Sequence, residues 1–129
     1  MKEIHVVAGI IYNDTRDQIL IAKRPDHLHQ GGLWEFPGGK VDEGESVESA
    51  LQRELLEELD IGVSEAEPFQ QIAHRYPDKA VFLDFWKVYN FSGQPDGLEG
   101  QEVRWVNVDI LGQYAFPEAN VPIVKMLME

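Results

Sequence analysis

The chain's 129 residues fit one domain and are enough to bury a hydrophobic core. A formal net charge of −12 argues against binding to a nucleic-acid polymer, because counterion release requires a basic surface. The absence of cysteine excludes disulfides and thiolate metal sites. The first apolar run, residues 6–11, is too short for a signal-peptide core or a membrane span. We therefore expect a cytoplasmic protein that does not bind membranes.

The first third of the chain predicts two strands and a loop. Residues 4–12 are apolar and β-branched, which favours a strand, and Asn13-Asp14 indicates a turn before a second strand at residues 18–23. Residues 25–34 are polar and predict a loop.

A helix is predicted after Ser46, a good N-cap residue. Its apolar positions recur at helical spacing and form one stripe, at Val47, Ala50, Leu51, Leu55 and Leu59.

The rest of the chain predicts three more strands, at residues 69–75, 80–89 and 103–108, and a closing amphipathic helix within residues 117–128. Strands with two separated helices indicate an α+β sandwich with a mixed sheet between helices. We expect residues 1–129 to form this single domain.

The end of the first helix carries a concentration of negative charge. At about 100° per residue, Glu57 and Glu58 fall on either side of Glu54. Carboxylates that close repel one another, and a divalent cation removes the conflict, magnesium or manganese being suited to hard oxygen ligands. The alternative is a solvated acidic helix face. An acidic chain can bind an anionic ligand when metal ions bridge the ligand to its carboxylates. The net charge therefore favours a small, metal-chelated phosphate ligand over a nucleic-acid polymer.

The spacing around these carboxylates forms a longer motif. The chain matches G-x5-E-x7-R-E-U-x-E-E-x-G-U, where U is a bulky aliphatic residue, and Asp60 replaces the last glycine. This motif resembles the box of the Nudix hydrolases, which cleave nucleoside diphosphates linked to another group, and the resemblance implies an α/β/α sandwich. Asp tolerates the left-handed backbone that a helix-ending glycine adopts. The matching residues are Gly39, Glu45, Arg53, Glu54, Leu55, Glu57, Glu58 and Ile61.

The resemblance implies a metal site and a set of catalytic residues. Mg²⁺, with Mn²⁺ as a substitute, is expected on the carbonyl of Gly38 and on the helix glutamates. We expect Glu54 to be the general base, although the helix carboxylates can exchange roles, and Arg53 to orient a glutamate. Glu45 is expected to hold the loop. The metal set is Gly38, Glu54, Glu57, Glu58 and Glu99, and the catalytic set is Arg53, Glu54, Glu57, Glu58 and Glu99, with a surface-loop role as the alternative for Glu99.

The segment F-P-E-A-N-V-P at residues 116–122 resembles the part of the family that hydrolyses 8-oxo-dGTP, in which the asparagine reads the purine. An amide offers one acceptor and two donors, so Asn120 can pair with both the N7–H and the O6 of 8-oxoguanine. Unmodified guanine presents two acceptors there, and the mismatch costs about 1–3 kcal/mol. The alternative is that Asn120 caps the last helix.

Other substrate contacts are implied by the same resemblance. Arg24 suits a phosphate through its guanidinium, with a strand-end surface charge as the alternative. Phe36 is expected to wall the base pocket, with a core role as the alternative. The full substrate set is Arg24, His29, Phe36, Pro37, Gly38, Lys40 and Asn120.

We therefore expect a monomeric, Mg²⁺-dependent pyrophosphohydrolase that converts 8-oxo-dGTP to 8-oxo-dGMP and pyrophosphate, which would remove a mutagenic nucleotide before DNA replication. Two alternatives remain. One is a Nudix hydrolase of another nucleoside triphosphate or of a nucleotide sugar. The other is a non-catalytic Nudix domain that binds damaged bases.

Overall fold

The computed structural model describes residues 3–27 and 31–129. Within these ranges seven strands form one sheet, and an α-helix covers each of its faces. The elements are β1 (Glu3–Tyr12), β2 (Gln18–Lys23), β3 (Trp34–Glu35), β4 (Gly38–Lys40), α1 (Val47–Leu59), β5 (Gly62–Arg75), β6 (Ala80–Ser92), β7 (Val103–Asn107), two 3₁₀ helices (Val108–Gln113 and Glu118–Asn120) and α2 (Val121–Leu127).

The sheet is mixed, as expected. Its main strand order is β3-β2-β1-β6-β5, in which β1 and β6 run parallel and the other neighbours run antiparallel. One edge of β1 is shared, because β4 pairs with residues 6–8 in its middle and β2 with its last residues, while β7 pairs with β2. The loop before α1 is thereby fixed to the central strand.

Side chains alternate along β1 and supply two hydrophobic cores. Val7 and Ile11 pack under α1, whereas Ala8 and Ile10 face α2. The α1 core also contains Ala50, Leu51, Leu55 and Leu59, and the α2 core contains Phe36, Phe85, Phe116, Ile123 and Leu127. This arrangement confirms the α/β/α sandwich.

The boundaries of α1 confirm the capping analysis. The Ser46 side chain accepts a hydrogen bond from the Ser49 backbone N–H at 3.1 Å, and the helix begins at Val47. Asp60 adopts φ 59° and ψ 36°, the left-handed conformation expected of the residue that replaces glycine. The departure from the family motif therefore leaves the helix end intact.

Several strands differ from the predicted ones. Strand β5 begins at Gly62 rather than at residue 69, because register shifts within it break the alternation that would have revealed its first half. Strands β3 and β4 were not predicted, and Trp34, assigned to a loop, lies in β3. Among the described residues, no helix is long and apolar enough to cross a membrane.

Candidate functional site

The glycine loop lies directly against α1. A Cβ atom at Gly38 would lie 1.9 Å from the Val7 carbonyl oxygen, and one at Gly39 would lie 2.4 Å from the carboxyl carbon of Glu54. At Gly38 only glycine fits, because the obstructing atom is backbone, whereas at Gly39 an added methyl group would displace the Glu54 carboxylate. The loop therefore brings bare backbone beside the helix carboxylates.

Arg53 holds the loop and the helix together. It donates to both carboxylate oxygens of Glu45, at 2.8 and 2.9 Å, and to the Lys40 carbonyl at 3.0 Å. The remaining nitrogen donates to Glu54 at 2.8 Å, which fixes the orientation of that carboxylate. Hydrogen bonds from Arg53 and from the Asp42 backbone N–H lower the pKa of Glu45 to about 2, so Glu45 stays ionised.

Glu58 lies at the centre of a group of carboxylates. Its side chain accepts a hydrogen bond from the Gly38 N–H at 3.1 Å. Burial raises its pKa to about 8, and the negative charges of Glu35, Glu54 and Glu99 add to the effect. Burial also raises the pKa of Glu54. These groups resist simultaneous ionisation.

The donor set suits a divalent cation, because oxygen ligands that repel one another are stabilised by a hard positive ion. The carboxylates do not point to one common position. Within residues 3–27 and 31–129, no three acidic or histidine side chains are placed to ligate one ion. Glu54 is held by Arg53, Glu58 by Gly38, and Glu57 has a largely exposed side chain. Metal binding would require the Glu57 and Glu58 carboxylates to turn, whereas Glu54 could use the oxygen that Arg53 does not hold.

Glu99 lies in an exposed turn that is fastened to the end of α1. The Gln101 side chain accepts from the Glu99 backbone N–H at 2.9 Å and donates to the Glu58 carbonyl at 3.3 Å. The neighbouring Leu98 N–H donates to the same carbonyl at 3.0 Å. This docking places the Glu99 charge close enough to raise the pKa of Glu58.

Glu35 was missed by the sequence analysis. It accepts a hydrogen bond from Arg24 at 2.6 Å, and burial raises its pKa against the opposing effect of Arg24. The pairing of β3 with β2 brings the two side chains together. Because the two residues are eleven positions apart in the chain, their spacing alone did not predict this contact. Its place next to the glycine loop was the one available hint.

A cavity of about 110 Å³ opens on the α2 face of the sheet. Arg24 and Phe36, both predicted, line it together with Asn120, and so does the unpredicted Glu35. Phe36 also belongs to the core, where it stacks on Phe116 with ring centroids 5.1 Å apart, and its role in a base pocket stays a prediction. Arg24 is more than a surface charge, since it is paired with Glu35 at the cavity wall.

The remaining predicted substrate residues are placed differently. Within the described C-terminal segment, Asn120 precedes α2 but its side chain makes no capping hydrogen bond, so its amide is left to the cavity. The Pro37 carbonyl accepts from the Gly9 N–H at 2.7 Å and is committed to the sheet. Lys40 is exposed. His29 lies outside the described residues.

A NUDIX domain model matches residues 6–126, and the chain belongs to the Nudix family. Members of this family generally use divalent metal ions. The chain is 37% identical to an 8-oxo-dGTP diphosphatase of Escherichia coli over 98% of each sequence, and 38% identical to a CTP pyrophosphohydrolase of the same organism over 99% of this chain and 93% of the relative. It is also similar to a solved structure from work on MutT of Aliivibrio salmonicida and Vibrio cholerae, with a TM-score of 0.87 and 50% identity over 98% of each chain.

Proposed function

We propose that the protein is a Mg²⁺-dependent pyrophosphohydrolase that converts 8-oxo-dGTP and water to 8-oxo-dGMP and pyrophosphate. One observation carries the proposal: Glu35 lines the cavity together with Asn120, and its charge is close enough to Glu58 of α1 to raise the pKa of that carboxyl. A purine in the cavity would extend its phosphates toward those glutamates. The E. coli relative named 8-oxo-dGTP diphosphatase supports the same substrate.

The base would be selected by the amide of Asn120. Its carbonyl can accept from N7–H of 8-oxoguanine while its NH₂ donates to O6, and guanine lacks the first donor. The mismatch costs about 1–3 kcal/mol, which corresponds to a preference of roughly 5- to 150-fold. Arg24 and Lys79 supply positive charge to the same cavity.

The hydrolytic residues would act through position and charge. Mg²⁺ would be held by the Gly38 carbonyl and by the carboxylates of Glu54, Glu57, Glu58 and Glu99. When bound, it would neutralise the charge of the pyrophosphate and make water a nucleophile near neutral pH. Glu54 would accept the proton of the attacking water, because Arg53 fixes its orientation. The Arg53–Glu45 pair would keep the loop in place.

The test is a comparison of kcat/KM for 8-oxo-dGTP and dGTP in Mg²⁺, with wild type and Asn120→Ala. We expect wild type to prefer the oxidised nucleotide and the variant to lose most of that preference. A wild-type ratio near one would overturn the substrate assignment. Pyrophosphate, rather than single phosphate, must be released.

A second candidate substrate is CTP, because the chain is equally similar to a relative named CTP pyrophosphohydrolase. Including CTP in the assay separates the two, since a pyrimidine cannot present N7–H to Asn120. The proposal also includes a monomer that works in the cytoplasm on free nucleotides. The net charge of −12 supports free nucleotides over a nucleic-acid polymer as the ligand. Gel filtration coupled to light scattering tests the monomer.

A further inference from the structure

The short 3₁₀ helix that carries Asn120 is fastened by a buried hydrogen bond to Tyr76, the residue that follows β5. The backbone N–H of Ala119 donates to the hydroxyl oxygen of Tyr76 at 3.0 Å. Both residues are buried, with 6% of Tyr76 and 2% of Ala119 exposed. The bond joins residues that are 43 positions apart in the chain.

We propose that Tyr76 is a positioning residue for nucleotide selection: its hydroxyl fixes the backbone from which Asn120 reaches into the cavity. The inference rests on the proposed function, since Asn120 is taken as the reader of the base. The Asn120 side chain makes no capping hydrogen bond in α2, and the place from which it reaches the cavity is set by the backbone of residues 118–120. That backbone is held at Ala119, the adjacent residue.

The hydroxyl and the ring of Tyr76 have separate jobs. The ring packs with Val81 and Ala119 and meets the His74 ring at 4.6 Å, and phenylalanine would retain these contacts. Without the hydroxyl, the buried Ala119 N–H loses its acceptor, and the 3₁₀ helix must shift to reach another partner or water. Removing one oxygen therefore moves the Asn120 amide without opening the core.

A second tether is too weak to compensate. His74 lies 3.7 Å from Glu118, but the Glu118 side chain is 79% exposed, and exposed ion pairs contribute little. Of these two contacts, the buried hydrogen bond to the Tyr76 hydroxyl is therefore the stronger one.

The experiment compares Tyr76→Phe with Tyr89→Phe, a matched control whose hydroxyl donates to Glu67 at 2.8 Å on an exposed part of the sheet. Steady-state kinetics with Mg²⁺ are measured on 8-oxo-dGTP and dGTP. We expect Tyr76→Phe to lower the ratio of kcat/KM values by about fivefold, through a higher KM for 8-oxo-dGTP, and Tyr89→Phe to leave it unchanged. Equal losses on both substrates would overturn the proposal.

A double-mutant cycle decides whether the hydroxyl acts through Asn120. In the Asn120→Ala background, Tyr76→Phe should cause no further loss of selectivity. A full additional loss would mean that the hydroxyl touches the nucleotide itself, and the positioning role would be wrong.

Amide hydrogen exchange provides a readout that needs no substrate. Tyr76→Phe should exchange faster than wild type at the Ala119 amide, and Tyr89→Phe should not. Unchanged exchange would overturn the positioning role. By contrast, a wild-type preference ratio near one would count against the proposed substrate alone, and faster exchange in Tyr76→Phe would then still support the tether. Thermal melts of both variants ensure that all assays use folded protein.

Discussion

Gly39→Ala should separate catalysis from folding. The added methyl carbon would lie 2.4 Å from the carboxyl carbon and from one oxygen of Glu54, whereas ordinary contacts begin at 3.4 Å. The carboxylate must therefore move by the difference, 1.0 Å, or more. Because the obstructing atoms are the end of a flexible side chain, the backbone can stay where it is. The movement also disturbs the hydrogen bond from Arg53 to Glu54.

A displacement of this size at a reacting group costs about 100-fold in rate, which corresponds to about 2.7 kcal/mol of transition-state stabilisation. We expect kcat for pyrophosphate release in saturating Mg²⁺ to fall by that factor. The melting temperature should change by only a few degrees, as measured by circular dichroism.

Two other glycines serve as controls for Gly39→Ala. At Gly44 a methyl group meets no atom within 4 Å but φ is 81°, so Gly44→Ala should lose stability and keep its kcat. At Gly38 the new carbon would lie 1.9 Å from a backbone oxygen, so Gly38→Ala should fail to fold. If Gly39→Ala kept kcat within about threefold of wild type, a factor worth less than about 1 kcal/mol, the role given to the Glu54 carboxylate would be wrong.

Four further predictions concern α1 and its C-cap. With a pKa of about 8 against 4.5 for an ordinary glutamate, Glu58 should be protonated at neutral pH, so Mg²⁺ binding should release roughly one proton, measurable by calorimetry in buffers of different ionisation enthalpy. Because the folded protein holds this proton and the unfolded chain does not, the metal-free protein should lose stability as pH rises from about 4.5 to 8, and a melting temperature that rises over this range would contradict the assignment. Asp60→Gly should raise the free energy of unfolding by about 1 kcal/mol, because glycine removes both the cost of φ 59° and a negative charge at the helix C-terminus. Asp60→Asn removes only the charge, so denaturant titrations should show a smaller rise in the free energy of unfolding. Glu54→Gln should lower kcat at least about 100-fold while leaving the fold unchanged in circular dichroism spectra, and retained pyrophosphate release would exclude Glu54 as the base.

The helix of the site could be predicted because its signals are local. Ser46 caps the first turn, the apolar stripe repeats at helical spacing, and Asp60 can adopt the left-handed conformation that ends it. Each of these features depends on residues within one or two turns of each other. The sequence therefore carried both the boundaries of α1 and the face on which the glutamates lie.

Features made by strand pairing could not be predicted. Strand β4 contains two glycines and exists because β1 offers it an edge, and β3 is only two residues long. The Arg24–Glu35 contact follows from these pairings. Asn120 shows the same limit: asparagine before a helix predicts a cap, and only the three-dimensional position of the amide separates capping from ligand recognition.

The two hydrophobic cores on opposite faces of the sheet make the domain modular. The groups proposed for hydrolysis belong to the layer of α1, and those proposed for base discrimination belong to the layer of α2. The two layers meet at Glu35, which lines the cavity and whose charge also raises the pKa of Glu58. Laboratory evolution of new base preferences could therefore vary the α2 layer around Asn120 while Glu35 and the hydrolytic machinery are kept constant.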